Sequence, residues 1–103
     1  MIKWSNNMFL SEAVKDRDLR KIKTNLNNNK KIENLYCITF ASNPENLFDI
    51  YNAKQLIKPY FQKTTIHILG LAESKEAAYN LVTSILLEVL KSTGDLKVRE
   101  YFS

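Results

Sequence analysis

The sequence is poor in cysteine, histidine, glycine and proline. Its 103 residues include one Cys, one His, two Gly and two Pro. One cysteine cannot form an internal disulfide, and one histidine cannot build a multi-histidine metal centre or catalytic cluster. With only two glycines, the chain also lacks the glycine-rich turns that let backbone approach a phosphate group. We therefore predict no metal site, no cofactor and no catalytic residues.

Long hydrophobic runs are missing as well. No apolar stretch approaches the roughly 18 residues that a membrane-spanning helix needs. Residues 1–7 lack the apolar segment of an export signal. The single thiol, Cys37, lies within an apolar run and is expected to be buried and inert. These features predict a cytoplasmic protein with no membrane partner.

Composition and charge fit an ordinary globular domain. The chain is 45% hydrophobic and 25% charged, and its length suits one domain, residues 1–103, that folds without disulfides or metal. The net charge is +4, a mild excess that names no partner by itself. Twelve of the fifteen basic residues are Lys. Because the planar guanidinium of Arg binds phosphates and bases better than the Lys ammonium does, nucleic acid is not a favoured partner.

The central part of the chain predicts strand, helix, strand. Residues 35–41 are almost continuously apolar, which is typical of a strand covered on both faces in a parallel sheet, and residues 64–71 are predicted as a second buried strand. A helix is predicted from Pro44 to about Lys58, because Pro suits the first helical position and Pro59 ends the helix. Its apolar residues recur at helical spacing, namely Leu47, Ile50, Tyr51 and Ile57.

The flanking segments complete the predicted order. Asp16 or Asp18 should cap a surface helix that ends at residues 27–29, and Ser74 should cap a long helix, 74–92, that stops at Gly94. Apolar and charged residues alternate within residues 96–102, which predicts a half-exposed strand. Whether residues 2–10 form a first strand is left open. We predict an α/β domain of βαβαβαβ order, in two or three layers, with three to four strands, a parallel central pair and about three helices. The alternative is an α+β sandwich with a mixed sheet.

The long helix has an unusually wide apolar face. Such a face predicts either deep burial or a shared oligomer interface. Leu87 lies outside the main face, which comprises Ala78, Leu81, Val82, Ile85, Leu86, Val89 and Leu90. We take Leu86, Leu87 and Leu90 as candidate interface residues.

Two further surfaces are candidate binding sites. In a parallel sheet, ligands bind where strands end and helices begin, and here that rim would contain Ser42, Asn43, Asn46, Gly70 and Ser74. Ordinary helix capping is the favoured role of this rim, and phosphate is disfavoured there by Glu45, Glu73 and Glu76. A basic cluster could meet a phosphate backbone but lacks interleaved aromatics; it comprises Arg20, Lys21, Lys23, Lys30 and Lys31. A solvated helix face is the favoured role of this cluster.

These patterns support three hypotheses. The leading one is a non-catalytic accessory or protein-interaction domain that forms a homo-oligomer through helix 74–92 or an edge strand. The second is a binder of a small anionic metabolite or nucleotide at the rim, and the third is non-specific nucleic-acid binding through the basic cluster. An enzyme is the least supported function. His67 is expected in the core or on the sheet surface rather than beside Cys37 as a catalytic pair.

Overall fold

A computed structural model describes residues 1–43 and 45–103. Within these residues the chain forms four strands and six helices. The strands are β1 (Ile2–Leu10), β2 (Tyr36–Phe40), β3 (Phe48–Asn52) and β4 (Ile66–Ala72). The helices are α1 (Glu12–Lys15), α2 (Leu19–Asn27), α3 (Ala53–Leu56), α4 (Pro59–Gln62), α5 (Lys75–Thr93) and α6 (Val98–Tyr101).

The strands form one mixed sheet in the order β1-β4-β2-β3. β1 runs parallel to β4, whereas β2 is antiparallel to both β4 and β3. The α+β alternative with a mixed sheet is therefore confirmed. The predicted parallel pairing of the two central strands is wrong, because Tyr36 pairs with Ala72 and Cys37 with Leu71. A strand covered on both faces is apolar whichever way its neighbour runs, so the hydrophobic pattern did not reveal its direction.

The sheet lies between two helical layers. α1 to α4 cover one face, where Leu35, Cys37 and Ile68 belong to a buried cluster. α5 and α6 cover the other face, where Ile85 and Val98 belong to a second cluster. The molecule is thus a three-layer sandwich with a core on each side of the sheet.

The helix predicted from residue 44 to 58 is wrong over residues 48–52, which form β3. Its predicted start, Pro44, lies outside the described residues. Phe48 and Ile50 pack toward α5 and α6, while Tyr51 packs on the opposite core, as the period of a strand requires. Residues at 47, 50 and 51 fit a helical stripe as well, so the spacing alone was ambiguous.

The strand predicted over residues 96–102 is also wrong. Residues 98–101 form α6, and Val98, Tyr101 and Phe102 pack together against the α5 side of the sheet. These three residues are spaced i, i+3 and i+4, which matches one face of a helix. The charged residues between them produced the apparent alternation.

The open question over residues 2–10 is resolved as strand β1. Its register against β4 shifts between Trp4 and Phe9, where the polar residues of the segment lie.

Three of the predicted helix ends are confirmed. Asp18 accepts a hydrogen bond from the Lys21 amide, and Ser74 accepts one from the Ala77 amide. Gly94 ends α5 with a φ of 76°.

Candidate functional site

The outward side of α5 carries exposed apolar side chains. Tyr79 is 55% exposed, Leu87 is 63% exposed and Leu90 is 46% exposed. Thr83 lies among them and is also exposed. The opposite side of the same helix is buried in the core through Ala78, Ile85 and Val89. α5 therefore has apolar residues on two sides, and only one of them is covered by the fold.

We call the uncovered side the outer stripe, which consists of Tyr79, Thr83, Leu86, Leu87 and Leu90. The stripe contains all three of the predicted interface residues. Leu86 lies at its border, because this side chain is half-buried and packs against the core cluster beneath α5. Leu87 and Leu90 point into solvent. Only part of the wide apolar face seen in the sequence is therefore core.

The predicted ligand rim is not assembled as one site. Ser42, Asn43 and Asn46 follow β2 or precede β3, whereas Ser74 follows β4. Because β2 and β4 are antiparallel, these two groups lie at opposite ends of the sheet. Gly70 is buried within β4 between Phe9 and Ile38. Ser74 has a capping role.

The predicted basic cluster lies on and after α2. Arg20, Lys21, Lys30 and Lys31 are exposed, while the Lys23 ammonium lies 5.6 Å from the centre of the Trp4 ring. The Trp4 ring nitrogen donates to the Asn27 side chain at 3.1 Å. An aromatic side chain is thus present near the cluster, which the sequence order concealed. Nucleic-acid binding through these residues stays a prediction.

Cys37 and His67 do not form a pair. Cys37 is fully buried in the core beneath α1 to α4, and burial raises the pKa of its thiol to about 12. His67 is exposed on the other face of the sheet, where its ring lies 5.6 Å from that of Phe40. A neutral, buried thiol is a poor nucleophile. The expectations of a buried thiol and a sheet-surface histidine are confirmed.

A cleft opens where β2 and β4 separate. The last register pair between these strands is Thr39 with Ile68, and the chain beyond them diverges. The cleft has a volume of about 240 Å³, and its walls include Phe40, Ser42, Tyr60, Phe61, His67 and Arg99. Ser42 is the only residue of the predicted rim among them. Arg99 was missed because residues 96–102 were predicted as a strand, and Tyr60 was not among the candidate site residues.

A carboxylate network borders the cleft. The Asp49 side chain accepts hydrogen bonds from the Ser42 amide at 2.9 Å, the Ser42 hydroxyl at 3.0 Å and the Tyr51 hydroxyl at 3.0 Å. Burial alone would raise the pKa of Asp49, but these three hydrogen bonds lower it overall. The ionised carboxylate of Asp49 therefore holds the turn after β2 in place.

Within residues 1–43 and 45–103, no three His, Cys, Asp or Glu side chains are grouped to hold a metal ion. None of the helices there is long and apolar enough to cross a bilayer. No family model, curated protein or solved structure matches the chain. Its function is therefore inferred from its own surfaces.

Proposed function

We propose that the protein is a small non-catalytic interaction domain that self-associates through the outer stripe of α5. The observation that carries the proposal is the exposure of Tyr79, Leu87 and Leu90 on one side of a helix whose other side is core. Apolar side chains grouped on a surface favour a partner that removes them from water. A second copy of the chain is the partner we propose.

Four residues of the outer stripe continue a helical seam that begins at Glu76. The seam has steps of three, four, three and four residues and consists of Glu76, Tyr79, Thr83, Leu86 and Leu90. This alternation is the seam by which two helices pack side by side at a shallow angle. α5 has 19 residues, which gives a straight rod of about 28 Å. The seam therefore extends along most of the helix.

The helix dipole favours an antiparallel arrangement of the two helices. Antiparallel packing pairs the positive end of one helix dipole with the negative end of the other. It also brings Glu76 in the first turn of one helix toward Lys91 in the last turn of the other, while Lys75 beside Glu76 leaves the first turn itself without net charge. A two-fold dimer would then bring Tyr79 of one copy opposite Leu90 of the other.

The size of the stripe limits the affinity. Stable interfaces bury roughly 800 Å² on each partner, and one helical seam with two or three protruding side chains covers less than that. We therefore propose a reversible dimer whose population depends on concentration. A cytoplasmic location is part of this proposal, because a single buried thiol, Cys37, fits a reducing compartment.

Light scattering over a wide range of protein concentration tests the proposal. The mass should rise from the 12.0 kDa of one chain toward twice that value. The double variant Leu87→Glu/Leu90→Glu should stay at the mass of one chain, because a charge in the seam at position 90 and a second charge beside it at position 87 would repel and lose hydration. Both positions are exposed in the monomer, so its far-ultraviolet circular dichroism should match that of the native chain.

A matched control adds the same two charges elsewhere. Ala13 and Thr24 are exposed in the helical layer on the other face of the sheet. The variant Ala13→Glu/Thr24→Glu should dimerise like the native protein. A native chain that stays at one mass at every concentration would refute self-association. Equal loss of dimer in both variants would remove the stripe as the interface.

A further inference from the structure

We infer that the cleft between the end of β2 and the start of β4 binds a small organic anion with a single planar ring. An oxyanion head would lie against Arg99 and His67, and the ring would pack beside Tyr60 and Phe61. The site is separate from the outer stripe, since none of the stripe residues lines the cleft. Five observations support the inference.

Arg99 supplies a positioned cation. Its guanidinium carbon lies 4.5 Å from the centre of the Phe40 ring, and one of its nitrogens donates to the Ala41 carbonyl at 3.2 Å. The ion pairs of the described residues are Lys15–Glu12 and Lys54–Glu33, so Arg99 takes part in none of them. A guanidinium has five N–H donors. Arg99 thus retains donors for a carboxylate or phosphate while its position is held by Phe40 and Ala41.

Further basic groups lie near Arg99. The His67 ring lies 5.6 Å from the Phe40 ring, which Arg99 also contacts. Lys3 is the neighbour of His67 in the parallel register between β1 and β4, so their side chains are on the same face of the sheet. Lys3 and Arg99 together favour negative charge at this end of the sheet, and the His67 ring adds an N–H donor.

The acidic groups near the cleft do not line it. Asp49 lies in the hydrogen-bond network at its border and already accepts hydrogen bonds from Ser42 and Tyr51. Glu45, in the turn after Ser42, and Glu100, next to Arg99 on α6, are exposed to solvent. None of these three carboxylates lines the cleft, whereas Arg99 does.

The opposite wall is aromatic. Tyr60 is 74% exposed, an unusual position for a large aromatic ring unless it contacts something. Its ring meets Phe61 edge-on at 5.0 Å, and Phe61 meets Tyr51 edge-on at 5.0 Å. Phe61 is anchored in the core beneath α3 and α4. This wall therefore offers a supported aromatic surface to a planar group.

Volume decides the size of the ligand. The cleft holds about 240 Å³, which is below the roughly 300–1,000 Å³ of sites that bind drug-sized molecules and cofactors. A dinucleotide would not fit. A one-ring carboxylate or phosphate ester is the class that matches both the charge and the space.

Two-dimensional NMR of the ¹⁵N-labelled full chain tests the inference, with phenyl phosphate and benzoate as probes. Both should shift amide resonances of residues 39–42, 60–67 and 99, with saturation at millimolar concentration. Inorganic phosphate lacks the ring and phenol lacks the charge, so each should bind at least about tenfold more weakly. A stronger response to phenyl phosphate than to benzoate would assign a phosphate head, and the reverse a carboxylate head.

Variants then identify the residues. Arg99→Gln can still donate to the Ala41 carbonyl but removes the charged fork, and it should weaken phenyl phosphate about ten- to hundredfold. Arg17 is the matched control, because it likewise holds loop carbonyls, those of Asn34 and Glu33, in another part of the molecule. Arg17→Gln should bind phenyl phosphate like the native chain.

A second variant covers the case in which Arg99→Gln fails to fold. Tyr60→Ala removes a side chain that is mostly in solvent, so the fold should survive while phenyl phosphate binding weakens severalfold. Unchanged affinity in both Tyr60→Ala and a folded Arg99→Gln would overturn the inference. So would equal binding of phenol, shifts confined to other parts of the chain, or no shifts at millimolar phenyl phosphate.

Discussion

Gly70 and the carbonyl oxygen of Phe9 approach each other across the parallel strands β4 and β1. A β-carbon built on Gly70 would lie 3.1 Å from that oxygen, and it would also lie 3.4 Å from side-chain carbons of Ile38 and Leu81. The two side chains can rotate, but the carbonyl belongs to a hydrogen-bonded strand. Gly70 is therefore needed for the close fit of these strands and of α5 above them.

Replacement of Gly70 by Ala should destabilise the protein. We expect a loss of about 1–3 kcal/mol in the free energy of unfolding, as for other overpacked core positions, measured by urea denaturation. Gly94→Ala is a useful comparison, because nothing lies within 4 Å of a β-carbon there and its φ is 76°. Its cost should come from backbone conformation alone. A Gly70→Ala variant as stable as the native chain would contradict the close approach.

The start of α3 depends on a reciprocal pair of hydrogen bonds. The Asn52 side chain accepts from the Lys54 amide at 3.0 Å, and the Gln55 side chain accepts from the Asn52 amide at 2.9 Å. Asn52→Ala should cost about 1 kcal/mol of stability in urea denaturation. Asn52→Asp keeps the acceptor and should retain most of it. Equal losses in the two variants would show that the cap is not what Asn52 contributes.

Asp49 should make stability depend on acid pH. Its folded-state pKa is lowered, with burial opposing and the hydrogen bonds from Ser42 and Tyr51 prevailing. A lowered pKa stabilises the fold at pH values above the ordinary aspartate pKa of about 4, and that contribution is lost as the pH falls through the lowered value. The free energy of unfolding of Asp49→Asn, measured by urea denaturation, should decrease less between neutral and acid pH than that of the native chain.

The control for this prediction is Asp16→Asn, which changes an exposed aspartate in the turn between α1 and α2. Its loss of stability toward acid pH should follow that of the native protein. If Asp49→Asn keeps the full native pH dependence, then the network around Ser42 does not depend on the charge of Asp49.

Cys37 should be unreactive in the folded protein. It is fully buried, and burial raises its pKa to about 12, so neither access nor thiolate is available at pH 8. Labelling by a thiol reagent should be orders of magnitude slower than in urea and should follow the rate of opening. Fast labelling of the native chain would contradict the packing of β2.

The buried strands and the capped helices could be predicted from the sequence, whereas strand direction could not. Ser74, Asp18 and Gly94 act locally, so their roles follow from their neighbours in the chain. The pairing of β2 with β4 is a long-range property, and an apolar run is compatible with either direction. The parallel partner of β4 turned out to be β1, the segment with the least regular pattern.

The candidate sites show the same division. The leucines of the outer stripe were found because helical spacing is local, although the sequence could not show which side of α5 is covered. The cleft was missed because Phe40, Tyr60 and Arg99 are distant in sequence. They line one cleft only because β2 and β4 separate there and residues 98–101 form α6. The asparagine and glutamine that start α3 were a readable capping signal within the segment predicted as one helix.

The most direct test of self-association is an isotope-filtered nuclear Overhauser measurement on a mixture of labelled and unlabelled chains. Within one α5, Tyr79 and Leu90 are eleven residues apart, about 16 Å along the helix, too far for a contact. The antiparallel dimer predicts intermolecular peaks between Tyr79 ring protons and Leu90 methyl groups. Their absence at a concentration where light scattering shows a dimer, with peaks arising from another surface instead, would contradict the proposal.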